Sequence, residues 1–267
     1  MTEIDKRIGL PDGNEKFLEW YQEVFDCVYI ALHPFSSVLD LDPETVNYRL
    51  GVFNGNETSL EEAMEQMSEI AANTDTDQVL FAKLEKQFGK QTLWQRICEE
   101  CKFDSVAELN RVLLTTNMAL RPEHWDEAGA ARLEGYCVYN KVFMPIFNWI
   151  PPLLQKPLAE TFKALGLQDF VVANQFDYQI NSATIEDLET DQPWTVDNTE
   201  WNYVCKAYSR DYSILVASPI DEFYTIICGN NRNTFEKIGL SERFDGFWCT
   251  EDTRPAWWLT ETQWLAR

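Results

Sequence analysis

The one pair of cysteines at CxxC spacing is Cys98-Glu99-Glu100-Cys101. Two thiols so spaced serve either thiol–disulfide exchange or half of a zinc site. Exchange needs the first sulfur at a helix N-terminus, where the dipole lowers its pKa. Here the pair falls at the end of a predicted helix with two carboxylates between the sulfurs, an arrangement that raises thiol pKa. Zinc needs two further ligands, and no second pair stands at a suitable spacing. Cys98 and Cys101 are therefore read as two core cysteines, neither metal-bound nor disulfide-bonded.

Histidine chemistry has two possible seats, His33 and His124. A Cys27–His33 nucleophile pair needs both residues at one end of a helix, and the sequence supplies neither an orienting third group nor an oxyanion hole. His33, before Pro34, reads as the residue that ends an apolar helix, and His124 falls in the first turn of another. The run Asn73-Thr74-Asp75-Thr76-Asp77 imitates the start of a calcium loop. It fails, with Gln78 where Gly is required and Leu84 where a bidentate Glu is required. Asp75 and Asp77 are better placed to cap the helix that follows. No phosphate-cradling glycine loop, nucleophile elbow or HExxH pair is present. With 44 acids, some carboxylate pair always lies near another, so a glycosidase-like pair is not assignable. No residue is given a catalytic role, and no metal or cofactor is expected.

The acids themselves are the sharper signal. The chain carries 44 Asp and Glu against 22 Lys and Arg, a formal net charge of -22. Between Lys16 and Lys83 stand thirteen acids and one base, Arg49; between Lys163 and Lys206 stand eight acids and no base. Such a field repels nucleic acid and anionic lipid and attracts cations or a basic protein surface. Glu61, Glu65 and Glu69 recur every four residues on a predicted helix over Ser59 to Ala72, and Glu62 widens the row. The opposite stripe, Leu60, Met64, Met67 and Ala71, would dock on a core. Each like-charge neighbour costs a few tenths of a kcal/mol, so the row is either a solvated face kept for solubility or a landing strip for a basic partner. Glu61, Glu62, Glu65, Glu69, Asp75 and Asp77 are the candidate partner contacts, with Trp257 and Trp258 as aromatic anchors.

These side chains need a frame. Helical periodicity places a helix over Glu15 to Ala31, then others over Ser59 to Ala72, Thr76 to Phe88, Gln91 to Cys101, Asp104 or Ser105 to about Leu120, Pro122 to Gly135 and Pro151 or Pro152 to Gly166. Asp104 or Ser105 is the cap, with Glu108 positioned for a capping box. After Gly166 the period shortens. Asp169 to Gln179 and Trp201 to Tyr208 read as extended, and Tyr212 to Ala217 and Phe223 to Cys228 as a hairpin covered by a helix over Asn233 to Ile238. Ala256 to Leu259 reads as a last strand, and Ser182 to Glu200 as a long acidic surface loop. The expected fold is α+β: a mainly helical region 1–166, then an antiparallel region 167–267 with a covering helix, the two possibly forming one domain.

Composition supports a folded body, with 45% hydrophobic and 13% aromatic residues. Met1 to Phe17 lacks an apolar signal core, and Val142 to Leu154 is too short and too broken by proline to span a bilayer. Seven scattered cysteines fit reduced thiols better than a disulfide framework, which places the chain in the cytoplasm, off the membrane.

The C-terminal third carries Asp211-Tyr212, then Asp221, Phe223 and Thr225, then Gly246-Phe247 and Cys249, then Thr253 with Trp257 or Trp258. Near the start stands Ala31-Leu32-His33-Pro34-Phe35. These residues resemble a bacterial family, domain of unknown function 2711. The resemblance implies a bacterial or phage-related origin and supplies no catalytic residues. The lead expectation is an acidic binding protein, inhibitor or immunity-type, that neutralises a basic protein such as a nuclease or toxin. The alternative is a hydrolase with a carboxylate or Cys–His site in a cleft between helical half and sheet. The sequence leaves partner and oligomeric state open.

Overall fold

Cys27–Leu32 is a strand, β1, and all six of its residues are buried. That corrects the helix expected over Glu15 to Ala31, which survives only as α1, Phe17–Tyr21. A strand covered on both faces shows a continuous apolar run, and over so short a length that run has no period to separate it from a buried helix. Val28, Tyr29 and Ile30, β-branched or aromatic, favour the pleat.

The computed structural model describes residues 8–13, 15–39, 41–46, 78–175, 177–197 and 202–259. After β1 come β2 (Phe35–Val38), a helix through 78–88 (α2), β3 (Gly89–Thr92), α3 (Trp94–Cys101), α4 (Val106–Thr116), a 3-10 turn (Pro122–His124), α5 (Glu127–Asn140) and α6 (Pro152–Ala164). Then follow β4 (Asp169–Ala173), β5 (Ile180–Thr184), α7 (Ile185–Leu188), β6 (Lys206–Tyr208), β7 (Ile214–Ala217), β8 (Tyr224–Gly229), α8 (Arg232–Lys237), α9 (Leu240–Arg243) and β9 (Gly246–Trp248). The fold is α+β, with helices gathered in the first half and the sheet toward the C-terminus. Among the described residues no helix is long and apolar enough to cross a membrane.

Seven strands form one sheet in the order β5-β4-β6-β7-β8-β1-β9, and every pairing is antiparallel. The expected hairpin is present: Val216 pairs with Ile227 across β7 and β8. Strand β1 lies between β8 and β9, so the sheet draws strands from both sides of residue 166. Its side chains alternate between two cores. Val28, Ile30 and Leu32 join α1, α3, α4 and α5 on one face. Tyr29 and Ala31 join α6 to α9 on the other. The covering helix α8 sends Phe235 into that second core, where it lies so close to Gly229 that a Cβ there would collide with its ring.

Local signals explain most helix ends. Ser105 caps α4 by accepting the Glu108 N–H at 3.1 Å, while Glu108 accepts from the Asp104 N–H at 2.6 Å. Pro152 opens α6, and Gly166 closes the region beyond it with φ +75. Gly89 ends α2 by starting β3 instead, so the helix expected over Gln91 to Cys101 begins only at Trp94. Trp257 and Trp258 lie in turns rather than in a strand. The acidic loop expected over Ser182 to Glu200 holds the end of β5, all of α7 and the buried residues Trp194 and Val196. Its helix is short but well made: Thr184 and Asp187 form a reciprocal capping box.

Candidate functional site

The described surface has a cleft of about 370 Å³ between the start of α2, the sheet end at β4 and β5, α7 and the turn that leaves it. Val79, Val172, Ala183 and Leu188 give it apolar walls, and Asp187, Thr190 and Gln192 give it a polar rim. Trp194 is its most firmly held wall. The Trp194 backbone N–H donates to Gln155 Oε1 at 3.0 Å, and its indole N–H donates to Leu188 O at 2.7 Å. Gln155, fully buried on α6, spends its amide N–H on Ile150 O. Tyr203, bridged to Thr195, stacks on Trp149 with centroids 3.9 Å apart.

The rim is acidic. Glu186, Asp187, Glu189 and Asp191 fall within six residues. Asp187 Oδ2 accepts from the Thr184 N–H and hydroxyl at 2.8 and 3.0 Å, and Glu189 pairs with Lys163 at 2.6 Å. From α2, Lys86 Nζ donates to Gln192 O at 2.6 Å and Leu188 O at 3.4 Å, and stands 5.8 Å from the Trp194 ring centroid. Burial lowers the Lys86 pKa to about 8, and the nearby Asp191 charge opposes that shift. Among the described lining residues Asp187 is the one carboxylate.

The sequence-derived candidates lie elsewhere. Glu61, Glu62, Glu65, Glu69, Asp75 and Asp77 fall outside the described residues. Trp258 is buried, and Trp257 is half-buried with its ring edge-on to Phe247 at 5.2 Å. Cys98 and Cys101 face the core from α3, and burial pushes both thiols up to about 11. Among the described residues no cluster of three or more His, Cys, Asp or Glu is arranged to hold a metal ion. His124 ends the 3-10 turn, half-buried.

Cys27 and His33 are not brought together. They stand at the two ends of β1, where Cys27 is opposite Gly229 and Leu32 opposite Tyr224. A strand of that length separates them by roughly 20 Å. Cys27 Sγ donates to Gly229 O, and burial raises its pKa to about 11. His33 follows a strand rather than ending a helix, and it is fully buried. Its Nδ1 lies 2.6 Å from Ile146 O, so that nitrogen carries the proton and donates. Nε2 then accepts from the Thr225 hydroxyl at 2.9 Å, and Thr225 Oγ1 accepts from Ser218 at 2.7 Å. Burial holds the ring pKa down to about 3. This directed chain is a sealed core network, and both ring nitrogens are occupied.

Sequence reasoning missed Trp194 as a wall of the cleft and Lys86 and Gln155 as the residues that hold that wall. The Thr184-x-x-Asp187 cap was the available signal for α7, but nothing local joins residues this far apart in the chain.

Of the residues that carried the family resemblance, Phe223, Thr225 and Gly246 lie near the His33 end of β1, while Tyr212 and Cys249 lie toward its Cys27 end. His33 follows that strand, Thr225 bonds its ring, and a Cβ at Gly246 would run into Ile30 O. Trp94 adds to this region by donating its indole N–H to His33 O at 2.8 Å. No curated protein and no solved structure matches the chain. A family model does, and it reaches beyond the C-terminal third where the resemblance is densest. It spans residues 13–259, from just before α1 to just past Trp258. The helical half and the sheet are thus matched as one unit, and the chain belongs to DUF2711, a family described as a protein of unknown function.

Proposed function

We propose that the chain is an acidic binding protein, inhibitor or immunity-type, that neutralises a basic protein partner such as a nuclease or toxin in the bacterial cytoplasm. The observation that carries this reading is the charge distribution. A net charge of -22 is concentrated in two stretches nearly without bases, and the second of them contributes Asp187 to the aromatic-walled cleft. Clustered acids speed encounter with a basic surface, and ordered aromatic walls offer a place for the contact to be held. The same field disfavours nucleic acid and anionic lipid as ligands.

The test is recovery of the partner by affinity purification at low salt, followed by its association rate across a salt series. A basic protein whose association slows steeply as salt rises supports the reading. Retention of no basic protein at low salt counts against it and returns weight to a carboxylate hydrolase.

A further inference from the structure

The turn that leaves α7 forms much of the cleft's rim, yet its attachments to the body are slight. Residues 189–192 are exposed, whereas Leu188 and Trp194 on either side are buried. Among the described residues no backbone–backbone hydrogen bond joins residues 190–193 to the body. What holds them is a set of side-chain cords. Lys86 Nζ reaches two carbonyls, Leu188 O and Gln192 O. Gln87, the next residue of α2, donates to Asp191 O at 3.4 Å. Lys163 pairs with Glu189 in an exposed bridge, which contributes little in water.

We propose that Lys86 is the clasp of a strap, residues 188–194, that closes one wall of the cleft. The strap supplies Leu188, Thr190, Gln192, Pro193 and Trp194 to the lining, so its position sets the room available to a ligand. A single ammonium reaching both ends of the turn adds to the backbone bond from the Val204 N–H to Trp194 O and resists lifting of the segment between. Charge-assisted bonds of this type are about twice as strong as neutral ones. Segments with few backbone bonds are those that open locally without global unfolding. Asp191 faces the clasp from the strap, whereas Glu189 pairs with Lys163 and Asp187 accepts from Thr184. Lys83, Glu85 and Lys90 stand near Lys86 in its own stretch of chain. The inference holds whatever the partner proves to be.

Hydrogen exchange at the Trp194 backbone amide tests it, because its bond to Gln155 on α6 breaks when the strap lifts, whereas the indole bond to Leu188 O lies within the strap. The Ile227 amide in central strand β8 serves as the folding control. In Lys86→Met, Trp194 exchange rises roughly tenfold or more, with Ile227 unchanged. Lys86→Gln, a shorter neutral donor, shows the same direction, and Lys163→Met changes Trp194 exchange by less than roughly threefold. Unchanged Trp194 exchange in both Lys86 variants would overturn the proposal. Equal acceleration at Trp194 and Ile227 would overturn it too, since Lys86 would then act on the whole fold.

Discussion

His33 Nε2 accepts the hydroxyl of Thr225 at 2.9 Å, and this bond ties the end of β1 to the neighbouring β8 inside the core. Thr225 stands between Ser218 and His33, so it is both donor and acceptor in a chain sealed from water. Thr225→Val keeps the shape and removes the relay, leaving Nε2 and the Ser218 hydroxyl unpaired. The cost is about 1–3 kcal/mol of stability, measured by urea denaturation at neutral pH.

The same ring gives the protein an acid-sensitive component. The folded-state pKa of His33 is depressed from 6.5 to about 3. As pH falls below about 6.5 the unfolded chain binds the proton first, so stability present above that pH is lost progressively down to about 3. His33→Asn removes this component and lowers stability overall. Wild-type and variant stabilities therefore converge as pH drops from 6.5 toward 3 in urea titrations.

Glu85 acts in the opposite sense. It is buried on α2 beside Ser36, and desolvation raises its pKa from 4.5 to about 7. The folded state keeps the proton while the unfolded state releases it, so stability complete below about 4.5 is lost as pH rises toward 7. Glu85→Gln takes away that dependence. Relative to wild type, the variant gains about 1.4 kcal/mol for each pH unit across that window, read from urea midpoints at pH 4.5 and above.

Two glycines separate packing from propensity. A Cβ on Gly246 meets the Ile30 carbonyl of β1, where the backbone has nowhere to go. Gly246→Ala costs about 3 kcal/mol or more. Gly135, inside α5, has nothing within 4 Å of an added Cβ. Gly135→Ala stabilises by about 0.5–1 kcal/mol. Thermal melts of the two variants check both signs.

Legibility in the sequence followed the range of the interactions. A cap at Asp104 or Ser105 with Glu108, a proline start at Pro151 or Pro152 and the Tyr212-to-Cys228 hairpin were readable, because caps, proline and alternation act within a few residues. Strand β1 was not, since burial on both faces erased its period. The region after β5 looked like loop because the weight of its acids hid the Thr184 cap and the buried Trp194. The cleft depends on Val79, Val172 and Trp194 meeting across more than a hundred residues, which no local pattern encodes. The His33 network is equally non-local: its ring partners come from loop residue Ile146 and from β8.

The central claim is that the acids are there to steer a basic partner, and association kinetics test it most directly. The association rate of the recovered partner is measured from low to high salt for wild type and for Glu61→Gln/Glu65→Gln/Glu69→Gln. Steering between exposed charges is screened beyond roughly 8 Å at physiological ionic strength. The expected result is a wild-type rate that falls steeply with salt, a slower triple variant with a shallower salt slope, and unchanged folding. A rate indifferent both to salt and to the three substitutions would contradict the account.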